Sequence, residues 1–571
     1  MILNAMPNLD DLHTRLTIEG RNAALAEEYS INDLLCDIQI GLRVDGKTCE
    51  HFGLAIPDMD LRDALDAERN QQGHNKAQAF FDVNHPLLNV DQLALFDAVT
   101  ALIANGQGGL IFGVAPAGTG KTFTVNVLLA SQRKNGCVAY GTAACGIAAC
   151  LLHEGTTSHF RFKFPIPINA ESICTINFQS DIALGLRDAT LLVIDEGPML
   201  HKHNFEALDR YLKRLMGSTL PFGGKVVLIT GDFRQILPIV PRGSRASIVN
   251  ASIKRSDLWE DVTVLNLSIN MRVQAMIDVN PTVENIAKLS DFSSLLLDVG
   301  TGNVPTVTVG QPPHFEDNVI EIPGYMWRDS PMDVIDSIYD DFELSIGQAS
   351  YLKKRAMLST TNSIVNSIND DMINRIPNEG EHRLVSIDTV SGDDSSTLYP
   401  EEILNNVESS GIPQHVIRLK KNAVVILLRN LDNNAGHCNG TRYIVLKIHS
   451  HMIEARRLDA DENEDNILIP RIPMCTKTGD FPFTMRRLQF PIKVAFVMTF
   501  NRSQGQSLMH IGIILPSSVW THGQLYVGLS RCGNPDNIAI WANQEEFVLE
   551  GYPSDNKYTR NVVYTEIFRD N

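Results

Sequence analysis

Gly109-Leu-Ile-Phe-Gly-Val-Ala-Pro-Ala-Gly-Thr-Gly-Lys-Thr122 is the stretch that decides the fold. Its first six residues form a mostly apolar run, the pattern of a strand buried on both faces of a parallel sheet. A glycine-rich turn follows, ending in Lys-Thr, and Phe123 to Gln132 then carries a helical pattern. Strand, turn and helix in that order are the context a phosphate-binding loop requires. Backbone N–H groups of Gly118 to Lys121 can wrap phosphates at the helix N-terminus, where the helix dipole also favours anions. Lys121 can reach the β- and γ-phosphates, and the Thr122 hydroxyl can ligate Mg²⁺. The candidate nucleotide-binding residues are therefore Ala115, Pro116, Ala117, Gly118, Thr119, Gly120, Lys121 and Thr122. Ala115 departs from the strict pattern, which has glycine there.

Working outward, Leu191-Leu-Val-Ile-Asp-Glu196 puts two carboxylates at the end of another buried strand. Asp195 is placed to hold Mg²⁺ opposite the loop, and Glu196 to polarise an attacking water as general base. Gly231-Asp-Phe-Arg-Gln-Ile-Leu-Pro238 directly follows a third apolar run, Val226-Val-Leu-Ile-Thr. Gln235 there can sense a γ-phosphate through a hydrogen bond. Together these elements make an NTPase, a class that contains many activities.

The rest of the chain sets bounds. At 571 residues it is too long for one core, so three or four domains are expected. No apolar run approaches the ~18 residues of a membrane helix, and the start lacks the pattern of a secretory or transit peptide. An intracellular protein is expected. The nine cysteines contain no C-x-x-C pair, so reduced thiols are expected rather than zinc sites or disulfides. The net charge of −18 is unusual for a nucleic-acid binder, but phosphate affinity comes from local groups. Acid concentrates in residues 1–60, with eleven Asp/Glu against four Lys/Arg, and in Asp459 to Asp465.

Residues 1–84 show helical stretches such as Ala23 to Leu35, and Gln71 to Gln78 reads as a linker. Buried-strand texture returns in Val494-Ala-Phe-Val-Met and Ile511-Gly-Ile-Ile-Leu, which implies a second α/β lobe. Between the lobes, short β segments surround polar turns such as Asn433-Asn434-Ala-Gly, and Ser391-Gly-Asp-Asp-Ser-Ser reads as a loop.

Further motifs, in order, resemble the Pif1 family of superfamily 1 DNA helicases, and within it the helicases of Helitron transposons. They are Leu88-Asn-Val-Asp-Gln92, Ala143 to Leu152, Thr157 to Lys163, Asp195-Glu-Gly-Pro-Met199, Gly231 to Pro238, Leu267-Ser-Ile-Asn-Met-Arg272, Cys438-Asn-Gly-Thr-Arg442, Gln489-Phe-Pro491, Met498 to Gln506 and Gln524-Leu-Tyr-Val-Gly-Leu-Ser-Arg531.

The resemblance implies an α/β fold of two RecA-like parallel-sheet lobes with a small β-rich, SH3-like insertion and a mainly helical N-terminal extension. The expected divisions are 1–84 (extension), 85–261 (first lobe), 262–383 with 488–550 (second lobe), 384–487 (insertion) and 551–571 (tail). It implies ATP as substrate with Mg²⁺, Gln92 reading adenine, Gly505 at the nucleotide, and Arg272 and Arg531 as arginine fingers. It also implies 5′→3′ movement on single-stranded DNA, unwinding of forked DNA, and contacts to DNA from His159, Thr499, Ser503 and Gln504. Arg161, Lys163, Arg418, Lys420, Lys421, Arg486 and Arg487 are the candidate basic cluster. Recombination, repair, telomere maintenance and transposon replication are the roles it implies, in the nucleus if the source is eukaryotic. Oligomeric state stays open.

Departures from the family pattern are Ala115, Phe160, Gly197, Leu488 and Arg502, none of which removes a catalytic group. Two other readings are an ATPase that does not unwind and an idle transposon-derived DNA-binding fragment. His201-Lys-His203 imitates a nuclease metal motif but sits in a stretch resembling the helicase helix after the Asp-Glu pair, so no metal site is expected there.

Overall fold

The computed structural model describes residues 59–307, 318–377, 380–390, 399–409, 411–432, 436–460, 466–476 and 481–569, with side chains from residue 71. Ala23 to Leu35, Ser391 to Ser396, Asn433 to Ala435 and residues 461–465 of the acidic run lie outside them. The chain divides into two compact units, residues 1–83 with 133–136, and residues 84–132 with 137–571.

In the first unit the helix Met59–Asn84 runs through the expected linker. Gly73 inside it costs only ~1 kcal/mol relative to Ala. Side-chain bonds one turn apart, Gln71 to Asn75 at 3.1 Å and Gln78 to Asp82 at 2.6 Å, brace the exposed face.

The second unit holds both lobes. The first lobe is a six-stranded sheet of β1 (Gly109–Val114), β2 (Ala139–Ala143), β3 (Thr156–Thr157), β4 (Leu191–Asp195), β5 (Val226–Gly231) and β6 (Val262–Asn266), in the order β3-β2-β4-β5-β1-β6. Every pairing is parallel. β4 and β5 are buried along their whole length, as strands covered on both faces must be. Because β6 pairs with β1, the expected boundary at 261 falls one strand short.

The second lobe is a four-stranded parallel sheet in the order Val497–Thr499, Arg355–Ser359, His510–Leu515, Ile538–Ala542. Its insertion contains a five-stranded antiparallel sheet and a three-stranded one. Ile492–Val494 closes the larger sheet by pairing with Val424–Leu427, so the insertion extends past the expected limit of 487.

The segment after 551 is no loose tail. Tyr558–Arg560 pairs with Val319–Glu321, while Tyr564 and Ile567 are buried in the first lobe's core. Glu566 accepts two bonds from Arg245, at 3.0 and 2.8 Å. His522 links this segment to the lobe seam, donating from Nε2 to Phe233 O and accepting at Nδ1 from the Tyr564 N–H, both at 2.8 Å. Burial lowers its pKa to about 4, so the ring is neutral.

Candidate active site

The turn after β1 bends back on itself because Gly118 and Gly120 adopt φ of +90° and +78°. A Cβ at Gly120 would lie 2.4 Å from Gln92 Nε2, and one at Gly118 would lie 2.5 Å from Asn270 Oδ1. Only glycine satisfies both the torsion and the space. The loop opens onto a cavity of about 360 Å³.

All eight residues from Ala115 to Thr122 line that cavity, together with Asp195, Glu196, Gln235, Arg272, Gly505 and Arg531. The site is thus assembled from both lobes. Ala148, Leu151 and Gln506, which lie in the motif stretches but were not candidate site residues, line it too, as does Ser507.

Lys121 Nζ bonds Asp195 Oδ1 at 2.7 Å and Glu196 Oε1 at 2.6 Å. Asp195 Oδ1 also accepts from Thr230 Oγ1 at 2.7 Å and from the Glu196 N–H at 2.8 Å. Burial raises the Glu196 pKa above the usual carboxylate range against the pull of Lys121, and the Asp195 charge adds to the rise. That environment suits a proton acceptor. The Oε1 of Gln235 is buried without a partner among the described residues, an acceptor ready for an O–H group.

Arg272 donates to Ser530 O at 2.8 Å and Ser507 Oγ at 2.7 Å, and burial beside Arg531 lowers its pKa to about 10. Arg531 is 4% exposed and held by Val527 O at 2.9 Å and Ser530 Oγ at 2.9 Å. Both keep guanidinium groups at a cavity that also holds a lysine and two carboxylates. Such a set can clamp a polyphosphate and offset charge spreading during phosphoryl transfer. Thr122 and Asp195 supply the hard oxygen donors that Mg²⁺ prefers.

Gln92 does not line the cavity, and its amide is engaged, receiving Asn89 N–H at 3.1 Å and donating to Thr119 O at 2.9 Å. Here it braces the loop.

A second, larger groove of about 860 Å³ lies against the second lobe and the insertion. Thr360, Thr361, Asn362, Lys493, Thr499, Asn501 and Arg502 line it, with Ile239 and Trp520, which are 74% and 66% exposed. Of the four expected DNA contacts only Thr499 is among its lining residues. Ser503 is fully buried and donates to Phe500 O at 2.8 Å, and Gln504 is 1% exposed, its amide atoms without a partner among the described residues. His159 is half-buried with its ring edge against Phe164, and burial lowers its pKa.

The expected basic cluster disperses. Arg487 is buried in a two-bond pair with Asp388, and Arg418 pairs with Glu381 at 2.7 Å. Lys420 is tied to Ile376 O at 2.9 Å, and Arg161 stacks 4.3 Å from the Tyr140 ring centre. His201 caps the helix Lys202–Met216 and His203 pairs with Glu206 at 2.7 Å. Among the described residues no three His, Cys, Asp or Glu side chains could hold a metal as a group. Nor is any described helix long and apolar enough to cross a membrane.

The description "PIF1-like helicase" matches residues 87–310, and "DNA helicase Pif1, 2B domain" matches residues 402–448. Those two stretches of the chain are thus similar to Pif1-type helicases. It is 23% identical over 469 residues to the ATP-dependent DNA helicase PIF1 of Xenopus laevis, a match covering 80% of this chain and 62% of that one. The chain thus spans less than two thirds of that relative's length. The crystal structure of Pif1 helicase from Candida albicans superposes with a TM-score of 0.55 at 19% identity, over 84% of this chain and 98% of that one. Bacteroides Pif1 bound to ssDNA gives a TM-score of 0.54 at 20% identity, over 83% and 99%. These likenesses carry the PIF1-like fold of two RecA-like lobes.

Proposed function

We propose that the chain is an ATP-dependent DNA helicase, using Mg²⁺, that moves 5′→3′ on single-stranded DNA and unwinds forked duplexes. The observation that carries this reading is the single cavity shared by Lys121 from the first lobe and Arg531 from the second. ATP gripped from both sides favours closed lobes, and loss of the γ-phosphate relaxes them, which couples chemistry to movement.

Lys121 would hold the β- and γ-phosphates, Glu196 would take a proton from the attacking water, and Gln235 would orient that water. Arg272 and Arg531 would offset the developing charge. Thr122 and Asp195 would hold Mg²⁺, which when bound supplies charge neutralisation at the phosphates. The groove lined by Thr360, Asn362, Thr499 and Lys493 would carry single-stranded DNA by contacts to phosphate that need no sequence preference. Likeness to the Xenopus laevis ATP-dependent DNA helicase PIF1 and to Bacteroides Pif1 bound to ssDNA supports the choice of ligand.

A strand-displacement assay on forked duplexes with 5′ or 3′ tails, with and without ATP, tests the proposal. Unwinding that needs ATP and a 5′ tail is the expected result. ATP hydrolysis stimulated by DNA without displacement would instead favour an ATPase that does not unwind.

A further inference from the structure

Tyr526 lies on the helix Gln524–Leu529 of the second lobe and is 1% exposed. Its hydroxyl donates to Asp232 Oδ2 at 2.6 Å and faces the Ala117 N–H, which donates to it at 3.4 Å. Asp232 follows β5, and Ala117 belongs to the glycine-rich loop. One phenol therefore joins the loop, the turn after β5 and the helix that leads to Arg531. Asp232 is itself 1% exposed, and its other oxygen holds the Arg234 guanidinium at 3.0 Å.

A hydrogen bond to an ionised carboxylate is short and strong, and leaving either group buried without its partner is costly. Burial beside Asp232 holds the phenol protonated, with its pKa well above the ordinary tyrosine value. Tyr526 does not line the cavity that holds Lys121 and Glu196, so it touches none of the reacting groups.

We propose that Tyr526 is a positioning residue, whose bond to Asp232 across the lobe seam sets Arg531 against the glycine-rich loop. Parting of the lobes breaks that bond, and closure remakes it. The Ala117 N–H ties the same phenol to the loop that grips the phosphates. This role rests on the ATPase reading above.

The test uses the full chain with Tyr526→Phe, Asp232→Asn and the double variant. ATP hydrolysis is measured with saturating oligo-dT, and binding with a fluorescent non-hydrolysable ATP analogue. Tyr526→Phe is expected to lower kcat about 10-fold while KM and analogue affinity stay within about 2-fold. The double variant should lose no more than the worse single one. A merely structural role would not separate kcat from KM in this way. Analogue-induced compaction, followed by small-angle scattering, gives a readout independent of turnover and should be lost in Tyr526→Phe.

Unchanged kcat and unchanged compaction in Tyr526→Phe, or additive losses in the double variant, overturn the role of the bridge and leave the ATPase reading standing. A parent chain that binds no analogue overturns the ATPase reading and the bridge together.

Discussion

Lys121 and Glu196, 75 residues apart in the chain, meet at 2.6 Å between Nζ and Oε1. Asp195 completes the contact at 2.7 Å. A phosphate arriving at Lys121 has to share its ammonium with these two carboxylates, so nucleotide binding rearranges the charges that hydrolysis uses.

Lys121→Ala should abolish ATP hydrolysis and also lower Tm, because it leaves two buried carboxylates without their cation. Glu196→Gln should keep ATP affinity and slow hydrolysis by about 10²–10⁴-fold, the usual worth of a general base. Steady-state turnover, analogue binding and thermal melting separate the two outcomes.

Arg531→Ala should reduce hydrolysis by about 10³-fold or more while retaining most nucleotide affinity, as expected of an arginine finger. Arg272→Ala should do both, slowing turnover and loosening the contact between Ser507 and Ser530 that its guanidinium spans. Unchanged turnover in Arg531→Ala would remove that residue from the mechanism.

Trp520 presents a large ring to the second groove. Trp520→Ala should weaken oligo-dT binding by about 10-fold, the scale of one base stacked on an aromatic side chain, and Trp520→Phe should retain most of the affinity. Fluorescence anisotropy of a labelled oligonucleotide measures both. Equal affinity in all three proteins would place the bases elsewhere.

Lys493 lies in the same groove, and burial, with Arg502 adding repulsion, lowers its pKa to about 8. Glu408 opposes that shift, and Asn362 accepts from Nζ at 3.3 Å. The ammonium is present below pH 8 and lost above it, so DNA affinity should fall between about pH 7 and 9. Lys493→Met should bind more weakly at pH 7 and show a flatter pH profile.

Arg487→Leu should unfold the insertion more readily rather than weaken DNA binding directly. Its guanidinium holds Asp388 at 2.8 and 2.7 Å and the carbonyls of Pro413 and Leu404 at 2.9 Å each. Removing it takes the guanidinium partner from a buried carboxylate that keeps only Ser386 at 2.7 Å and His415 at 3.2 Å, a change worth up to about 3–5 kcal/mol. Burial raises the Asp388 pKa, but hydrogen bonds from Arg487 and Ser386 outweigh it, so the net shift is downward. That stabilisation is present at neutral pH and is lost in acid, below about pH 4, as the pH falls through the folded-state value. Chemical denaturation across pH checks both the size and the sign.

The nucleotide site was largely legible because its parts lie in contiguous stretches. Glycines at 118 and 120 encode a backbone shape directly, and a carboxylate pair ending an apolar run declares where the run meets the cavity. The second groove was not legible, since Thr360, Lys493, Thr499 and Trp520 come from separate segments that no local pattern joins. Arg487 and Ser503 misled because polar side chains suggest exposure, whereas strand phase and a tight turn point these two inward. Domain limits were missed for the same reason, as β6 and Ile492–Val494 are assigned by pairings made far away in the chain.

Ile567 is fully buried within the hydrophobic core of the first lobe, and Glu566 is clamped beside it by Arg245. The first lobe's strands have all been synthesised by residue 266, yet their core lacks a piece until some 300 residues later. During translation that lobe must wait, incompletely packed, while the second is made. Its final consolidation is therefore an event that follows the emergence of residue 567 from the ribosome.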